Sequence, residues 1–246
     1  MSYMMTINND LKVSENPVRV LFFGRSGCKA TENALTLLKT LRCEITFVKS
    51  KGRGEALPGD IGQWDGDYIF CFRSLFVLPK YLIDKAKIGA VNFHPAPVEY
   101  PGSGCLNFAL YDNATHYGVT AHIMNEKVDN GAILKCQRFP ILPSDTVDTL
   151  LQRTHLKLVN LFFDVATDLV LGGKESLDRM VLSSSGEKWR GDATKMKDFE
   201  KLQLVPVDVS EVELEKIIRA TYTETFPPYI RLHGYDFVLK SPIKKV

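Results

Sequence analysis

Along the first hundred residues, short runs of apolar residues alternate with segments whose apolar residues are spaced as in a helix. Residues 18–23 form a compact apolar run that ends at a glycine turn, 24–27, and residues 28–41 then space their apolar side chains as a helix does. A helix is also predicted at 80–86, behind a proline suited to a first turn. Further apolar runs predict strands at residues 43–48, 67–72 and 90–94. Near-continuous apolar strands separated by helices indicate an α/β core with a parallel sheet covered on both faces.

The middle of the chain has the composition of a β-hairpin. A short helix is predicted at 106–111, and two β-rich runs follow at 117–124 and 132–139. The Asp-Asn-Gly sequence inside residues 128–131 favours a tight turn between them. We therefore expect these two runs to pair with each other.

The last third of the chain is predicted to be more irregular. Ser144-Asp145-Thr146 predicts the N-terminus of a long amphipathic helix over 147–171, and Gly172-Gly173 predicts its end. A charged helix is expected at 209–222, and a late hairpin or edge strand at 234–239.

A change of composition near Leu182 divides the chain into two regions. Residues 1–182 are expected to form the core, and residues 183–246 a small C-terminal α+β region.

Composition narrows the class of protein. The chain has 246 residues, of which 45% are hydrophobic and 24% charged, as in ordinary soluble globular proteins. A net charge of +2 with scattered basic residues is too balanced for a nucleic-acid partner. The five cysteines are odd in number and lack C-x-x-C spacing, which favours a reducing cytoplasm and no zinc site. Residues 1–16 lack signal-peptide features, and no apolar run is long enough to span a membrane.

Candidate chemistry concentrates at the end of the fourth predicted strand. Asn92 and His94 are two residues apart, so both side chains project to the same side of the strand. They lie at the carboxyl end of a parallel strand, where open α/β sheets bind ligands. Asp129 follows 37 residues later, in the predicted hairpin turn. An imidazole, a carboxamide and a carboxylate suit acyl transfer to an amine, as base, oxyanion donor and orienting group.

Structural alternatives exist for each of these motifs. The Asn-x-His-Pro segment is also compatible with a capped strand end carrying a satisfied histidine, and an Asp-x-Gly is usually a turn. The combination of both motifs at a strand terminus favours a functional role over a purely structural one. His122 is interpreted as a satisfied structural histidine, with a position near the site as the alternative. The glycine turn at 24–27 lacks both the P-loop and the dinucleotide-binding pattern.

The motif set Asn92-x-His94-Pro95, the following Pro-Gly loop and Val128-Asp129-x-Gly131 resembles the formyltransferase family that uses N10-formyltetrahydrofolate. The resemblance covers residues 18–171 and implies a Rossmann-like core with Asn92, His94 and Asp129 as the catalytic set. It also implies a formyl donor held without a metal. The pterin-binding backbone of the family maps here onto Ser74, Leu75, Phe76 and Val77.

Two segments indicate the branch of that family. The loop at 96–102 departs from the Ser-Leu-Leu-Pro pattern of purine and tRNA members, and with residues 219–237 it is similar to the nucleotide-sugar N-formyltransferases. That branch implies a nucleotide-linked amino-dideoxysugar such as dTDP-4-amino-4,6-dideoxyglucose as acceptor, a cytoplasmic role in O-antigen synthesis, and a homodimer. Residues 183–246 are then expected to contribute to substrate binding or dimerisation. Candidate acceptor-binding residues are Glu99, Gly104 and Tyr222.

Two alternatives remain open from the sequence. One is a formyltransferase acting on another amine, such as glycinamide ribonucleotide. The other is a nucleotide-binding module that keeps the fold without catalysis.

Overall fold

A six-stranded sheet forms the centre of the molecule, which a computed structural model describes for residues 16–242. Residues 1–15, in the segment predicted to carry no signal peptide, and residues 243–246 lie outside this range. The sheet order is β2-β1-β3-β4-β5-β6. The strands are β1 (Arg19–Arg25), β2 (Glu44–Ser50), β3 (Gly66–Phe72), β4 (Ala86–His94), β5 (His116–Ile123) and β6 (Ile133–Pro140).

One strand of the sheet, β5, runs opposite to the other five. Strands β1 to β4 pair in parallel, whereas β5 pairs antiparallel with β4, and β6 antiparallel with β5. A separate antiparallel hairpin follows near the C-terminus, formed by β7 (Tyr229–Leu232) and β8 (Tyr235–Val238). The predicted α/β core with a small C-terminal α+β segment is confirmed.

Helices cover both faces of the sheet. They are α1 (Lys29–Thr40), α2 (Lys80–Ile83), α3 (Cys105–Tyr111), α4 (Val147–Ser183), α5 (Met196–Gln203) and α6 (Glu211–Thr221). Helices α1 and α4 pack on one face, where the Phe162 ring lies 4.7 Å from Phe93 and 5.0 Å from Phe72 between centroids. A second buried cluster covers the other face around Phe23 and Ile69. Burial on both faces accounts for the near-continuous apolar runs of the strands.

Helix α4 extends beyond its predicted end. The prediction that it stops at Gly172-Gly173 is wrong, because the helix bends there and continues to Ser183. Gly173 adopts φ 58° and ψ −144°, a conformation that glycine reaches without a Cβ penalty. The chain then resumes the helix because Leu177 and Met180 are buried against the same core. The change of composition near Leu182 therefore falls at the end of this helix.

The loop between β5 and β6 is longer than the predicted turn. The two strands pair as predicted, but they end at Ile123 and begin at Ile133, so residues 124–132 separate them. Helix α5 was absent from the predicted elements, and α2 is shorter than the helix predicted at 80–86. The predicted helix ends early because strand β4 begins at Ala86, four residues before its predicted start.

Candidate active site

Two neighbouring strands place polar side chains on one face at the carboxyl end of β4. Asn92 lies opposite His122 in the antiparallel register, and His94 lies opposite Thr120. Directly opposed residues of an antiparallel pair project to the same face. The side chains of Asn92, His94 and His122 therefore converge on one patch, on the face opposite to the Phe93 core.

Asp129 joins this patch from the loop between β5 and β6. Its carboxylate Oδ2 lies 3.2 Å from His94 Nδ1 and accepts a hydrogen bond from the Gly102 N–H at 2.9 Å. Its Oδ1 lies 3.2 Å from His122 Nε2 and 3.3 Å from Asn92 Nδ2. Asp129 has a φ of 45°, a conformation that aspartate tolerates better than most residues. The predicted set of Asn92, His94 and Asp129 is thus brought into one hydrogen-bonded cluster.

The Asp129 carboxylate is buried yet held in its charged form. Burial raises the pKa of this group, which is 6% exposed, but the charge of His94, the hydrogen bond and charge of His122 and the Gly102 N–H outweigh that effect. The net result lowers the pKa of Asp129 from 3.8 to about 2. The carboxylate is therefore a fixed negative charge beside both imidazoles.

The His94 ring has an acceptor on each side. Its Nδ1 faces the Asp129 carboxylate, and its Nε2 lies 3.0 Å from the carbonyl oxygen of Tyr100. An imidazolium makes both hydrogen bonds, whereas a neutral ring makes only one of them. Both ring nitrogens of His94 thus face hydrogen-bond acceptors.

His122 belongs to the site, as the alternative interpretation of the sequence held. Its Nδ1 donates to the Ile123 carbonyl oxygen at 2.9 Å, which orients the ring, and its Nε2 lies 3.1 Å from Asn92 Nδ2. The signal that could have identified this histidine is its register opposite Asn92. Strand direction is needed for that register, and the sequence pattern alone does not supply it.

Two glycines in the loop after His94, Gly102 and Gly104, differ in the residues they contact. Gly102 adopts φ 95°, and a Cβ there would lie 2.3 Å from the Thr194 carbonyl oxygen, so only glycine fits while donating to Asp129. Gly104, which was predicted to bind the acceptor, precedes α3 with φ 71°. A Cβ on Gly104 would lie 3.1 Å from Phe199 of α5. Of these two glycines, Gly102 is the one that contacts the cluster, through its N–H to Asp129.

One carboxylate oxygen of Glu99 is buried and lacks a hydrogen-bond partner among residues 16–242. Its Oε1 pairs with Arg138 at 2.9 Å, and Arg138 also pairs with Glu187 at 2.7 Å. Its Oε2 is buried and accepts no hydrogen bond from the part of the chain that the structure describes. A buried acceptor left open in this way is available to a hydroxyl or amine donor from a ligand.

The segment predicted to bind the pterin ring lies between β3 and α2. Leu75 N donates to the Ser50 hydroxyl at 3.0 Å, and Phe76 N donates to the Ser74 hydroxyl at 3.2 Å. The Ser50 hydroxyl in turn donates to the Gly24 carbonyl at 3.1 Å, so this one side chain ties the ends of three strands together. Val77 is 76% exposed. Two of the four backbone N–H groups are thus already used within the protein.

Tyr222 lies apart from the histidine cluster, at the C-terminal end of α6. Its hydroxyl donates to the Lys240 carbonyl oxygen at 3.1 Å. It lines a cavity of about 410 Å³ together with residues of the C-terminal hairpin. The hydrogen bond of Tyr222 and its cavity thus place it with the C-terminal segment and not with Asn92, His94 or Asp129.

Trp189 covers the two histidines of the cluster. The indole N–H donates to the Gly131 carbonyl oxygen at 2.8 Å. The indole ring lies 5.0 Å from the His122 ring and 5.8 Å from the His94 ring between centroids, nearly perpendicular to the first. No spacing rule predicted this tryptophan, because it reaches the site from a loop 58 residues after Gly131.

Residues 16–242 contain neither a metal-binding cluster nor a membrane-spanning helix. No group of three or more His, Cys, Asp and Glu side chains in this range is arranged to hold a metal ion. No helix in the same range is both long and apolar enough to cross a membrane.

Comparison with known proteins identifies the family. The family model for formyl transferases matches residues 23–166, more than half of the chain, and the chain belongs to the formyl transferase family. A methionyl-tRNA formyltransferase of Listeria monocytogenes is 30% identical over 163 residues, which make up 61% of this chain and 52% of that protein. A phosphoribosylglycinamide formyltransferase of Dictyostelium discoideum is 35% identical over 83 residues, 32% of this chain and 40% of that protein. The chain thus spans about half the length, or less, of these curated relatives.

Solved structures with the same fold include sugar N-formyltransferases. One from a Shewanella species superposes with a TM-score of 0.69 at 18% identity and covers 93% of this chain and 99% of that one. A 4-N formyltransferase from Francisella tularensis gives 0.65 at 14% identity, with 93% and 99% covered. An N-formyltransferase from Helicobacter canadensis, in complex with folinic acid and dTDP-3-aminofucose, gives 0.61 at 13% identity, with 89% and 85% covered. These likenesses establish a shared fold over nearly the whole chain.

Proposed function

We propose that this chain transfers a formyl group from N10-formyltetrahydrofolate to the amino group of a nucleotide-linked amino-dideoxysugar, with dTDP-4-amino-4,6-dideoxyglucose as the acceptor. The observation that carries the proposal is the cluster of Asn92, His94 and Asp129 at the carboxyl end of β4 in a formyl transferase chain. The extent of the fold supports the sugar acceptor. The chain and the Shewanella sugar N-formyltransferase cover each other almost completely, whereas this chain spans only half of the methionyl-tRNA relative.

The proposed reaction is a direct displacement at the formyl carbon. The amine lone pair forms a C–N bond to that carbon, and the carbonyl electrons move onto its oxygen. Collapse of this tetrahedral intermediate breaks the bond to N10 of the folate, and the proton lost by the amine ends on N10. The products are a formamide and tetrahydrofolate. No covalent enzyme intermediate is required, so the reaction needs a proton carrier and an oxyanion donor.

His94 is proposed as the proton carrier. Its Nε2 faces the Tyr100 carbonyl at 3.0 Å in the free protein, so an acceptor amine has to replace that contact to deliver its proton. The Asp129 carboxylate at Nδ1 then stabilises the resulting imidazolium. Because the pKa of Asp129 is lowered to about 2, the carboxylate remains ionised throughout this step.

Asn92 is proposed as the oxyanion donor. Its Nδ2 contacts Asp129 Oδ1 at 3.3 Å, which is long for a hydrogen bond to a carboxylate. Exchanging this long bond for one to a developing oxyanion costs little and gains a charge-assisted hydrogen bond. Such an interaction is made only in the transition state, which raises the turnover rate rather than the affinity.

The loop of Ser74, Leu75, Phe76 and Val77 is proposed to bind the pterin ring of the donor. Two of its N–H groups are satisfied internally, which leaves its carbonyl groups to receive hydrogen bonds from the donor groups of a pterin edge. Binding of a folate-derived donor is supported by the related structures. Folinic acid is bound in the Helicobacter protein, and tetrahydrofolic acid in a HypX protein from Aquifex aeolicus that gives a TM-score of 0.60.

Acceptor binding is proposed to involve Glu99, Gly104 and Tyr222. The open Oε2 of Glu99 suits a sugar hydroxyl or the amine itself. Gly104 keeps the loop after His94 close to α5. Tyr222 offers an aromatic ring beside the 410 Å³ cavity, where a nucleobase is the proposed occupant.

Residues 183–246 are proposed to contribute to substrate binding and to a homodimer. The β7–β8 hairpin exposes 73% of Tyr235, 58% of Phe237 and 55% of Val238. Contiguous exposed apolar side chains of this kind are typical of interaction surfaces. The product of a cytoplasmic enzyme of this specificity is proposed to serve O-antigen synthesis.

An acceptor profile tests the proposed function. The purified protein is incubated with N10-formyltetrahydrofolate and dTDP-, GDP- or UDP-linked aminosugars, with glycinamide ribonucleotide as a further acceptor. We expect formylation of the dTDP-linked 4-amino sugar. Glycinamide ribonucleotide is the second candidate, because the Dictyostelium relative is 35% identical over its matched segment. Formylation of that amine alone would contradict the proposal for a sugar acceptor.

A further inference from the structure

The segment between α4 and α5 wraps around the edge of the sheet and ends above the histidine cluster. Ser184, just after α4, donates to the carbonyl oxygen of Leu134 on β6 at 2.8 Å. Further along, Arg190 N donates to the Val98 carbonyl at 3.0 Å, and Thr194 N to the Pro101 carbonyl at 3.1 Å. The segment is thus fixed on both sides of Trp189.

The Thr194 end of this segment also holds the loop that contacts Asp129 and His94. The Ser103 N–H donates to the Thr194 carbonyl at 2.8 Å, and the Thr194 hydroxyl donates to the Ser103 carbonyl at 2.6 Å. Between these anchors and His94 lie Gly102, which donates to Asp129, and Tyr100, whose carbonyl meets His94. Segment and loop therefore form one hydrogen-bonded unit over the site.

Trp189 is the side chain of this unit that reaches both the Asp129 turn and the imidazoles. Its N–H fixes the carbonyl of Gly131, two residues after Asp129. Gly131 itself has no room for a side chain, since a Cβ there would lie 1.8 Å from the Ile123 carbonyl oxygen. The same indole packs on the rings of His94 and His122, which are 4% and 2% exposed.

We propose that Trp189 is a positioning residue, which holds the Asp129 turn against the two histidines and shields their contacts with the carboxylate from water. Two separate contacts of one side chain support this role, a hydrogen bond to the turn and ring packing on both imidazoles. Shielding matters because charge interactions weaken as water enters. The kinetic part of this inference rests on the proposed formyl transfer, whereas the geometric part does not.

Two substitutions separate the two contacts. Trp189→Phe removes the N–H donor and retains an aromatic ring, while Trp189→Leu removes both. With one hydrogen bond lost, we expect kcat to fall about 3- to 10-fold in the phenylalanine variant. The leucine variant is expected to lose about 10- to 100-fold in kcat, because water also gains access to the Asp129 carboxylate. The KM values for donor and acceptor should change less than about 2-fold, since a positioning residue touches neither substrate.

Chemical modification supplies a readout that needs no formyl acceptor. Diethyl pyrocarbonate is applied to each folded protein, and modified histidines are located by peptide mass spectrometry. His116 and His233 are exposed and serve as internal controls that react in every variant. We expect His94 and His122 to be protected in the wild type and in Trp189→Phe, and to react in Trp189→Leu. Thermal unfolding of each variant confirms that the fold is retained under the labelling conditions.

The outcomes are distinguishable. A large rise in KM with unchanged kcat would show that Trp189 binds a substrate, and would overturn the positioning role. Continued protection of both histidines in Trp189→Leu would also overturn it. If the wild-type protein formylates no acceptor, the proposed function is contradicted. The labelling result then decides the role of Trp189 independently.

Discussion

Replacing Asp129 by asparagine tests the electrostatics of the site. The substitution keeps the shape of the side chain and removes its charge. In the folded protein that charge contacts His94, His122, Asn92 and the Gly102 N–H. The drop in pKa from 3.8 to about 2 is equivalent to about 2 kcal/mol, at 1.36 kcal/mol per unit. Because the pKa is lowered on folding, this stabilisation is present above the unfolded value near 3.8 and is lost as pH falls through about 2.

The assay is urea unfolding of wild type and Asp129→Asn at two pH values. At pH 5, where the Asp129 carboxylate is ionised in both the folded and the unfolded protein, we expect the variant to be less stable by about 2 kcal/mol. At pH 3 the difference should shrink to roughly half of that, since the unfolded carboxyl is then mostly protonated. Asp164→Asn is the matched control. Its half-exposed carboxylate pairs with Lys135 at the surface, so its loss should cost less than about 1 kcal/mol.

A difference that stays below about 1 kcal/mol at pH 5 would show that the neighbours of Asp129 stabilise its charge little, contrary to the lowered pKa. A difference that is equally large at pH 3 and pH 5 would assign the loss to the shape of the amide and not to the charge.

Three further predictions concern the residues around Asp129. Asn92→Ala should lower kcat about 100- to 1,000-fold while the unfolding midpoint stays within a few degrees, because an oxyanion donor acts in the transition state; activity near wild type would remove Asn92 from the mechanism. Gly102→Ala should destabilise the protein by about 1–3 kcal/mol in urea unfolding, since φ 95° and the Thr194 carbonyl leave no room for a Cβ. An unchanged midpoint would show that the loop adjusts freely. Glu99→Gln should raise the acceptor KM about 5-fold with little change in donor KM, since it weakens a charge-assisted hydrogen bond; equal changes in both would place Glu99 outside the acceptor site.

Local spacing was sufficient to predict part of the site. Asn92 and His94 share a face because strand side chains alternate, and their place at a strand end follows from the proline after His94. Cover on both faces of the sheet was also predictable, because strands with near-continuous apolar residues need it on both sides. These inferences need no knowledge of which strands are neighbours.

The rest of the site depends on contacts that local spacing does not specify. His122 meets Asn92 only because β5 runs antiparallel to β4 in a particular register. Trp189 lies in the segment after α4, which passes the edge strand β6 with a hydrogen bond from Ser184 to Leu134 before it reaches the site. Gly173 illustrates the same limit for helices, since glycine signals a break but tertiary packing of Leu177 decides that the helix resumes.

A single-turnover measurement follows formyl transfer from donor to sugar amine itself. The protein, in excess over N10-formyltetrahydrofolate, is mixed with dTDP-4-amino-4,6-dideoxyglucose, and the sugar formamide is quantified by mass spectrometry in wild type and Asn92→Ala. We expect one formamide per donor in the wild type, and a rate about 100- to 1,000-fold lower in the variant. Calorimetry should show that both proteins bind the sugar nucleotide equally. An unmodified aminosugar with the wild-type protein, or equal rates in the two proteins, would contradict these expectations.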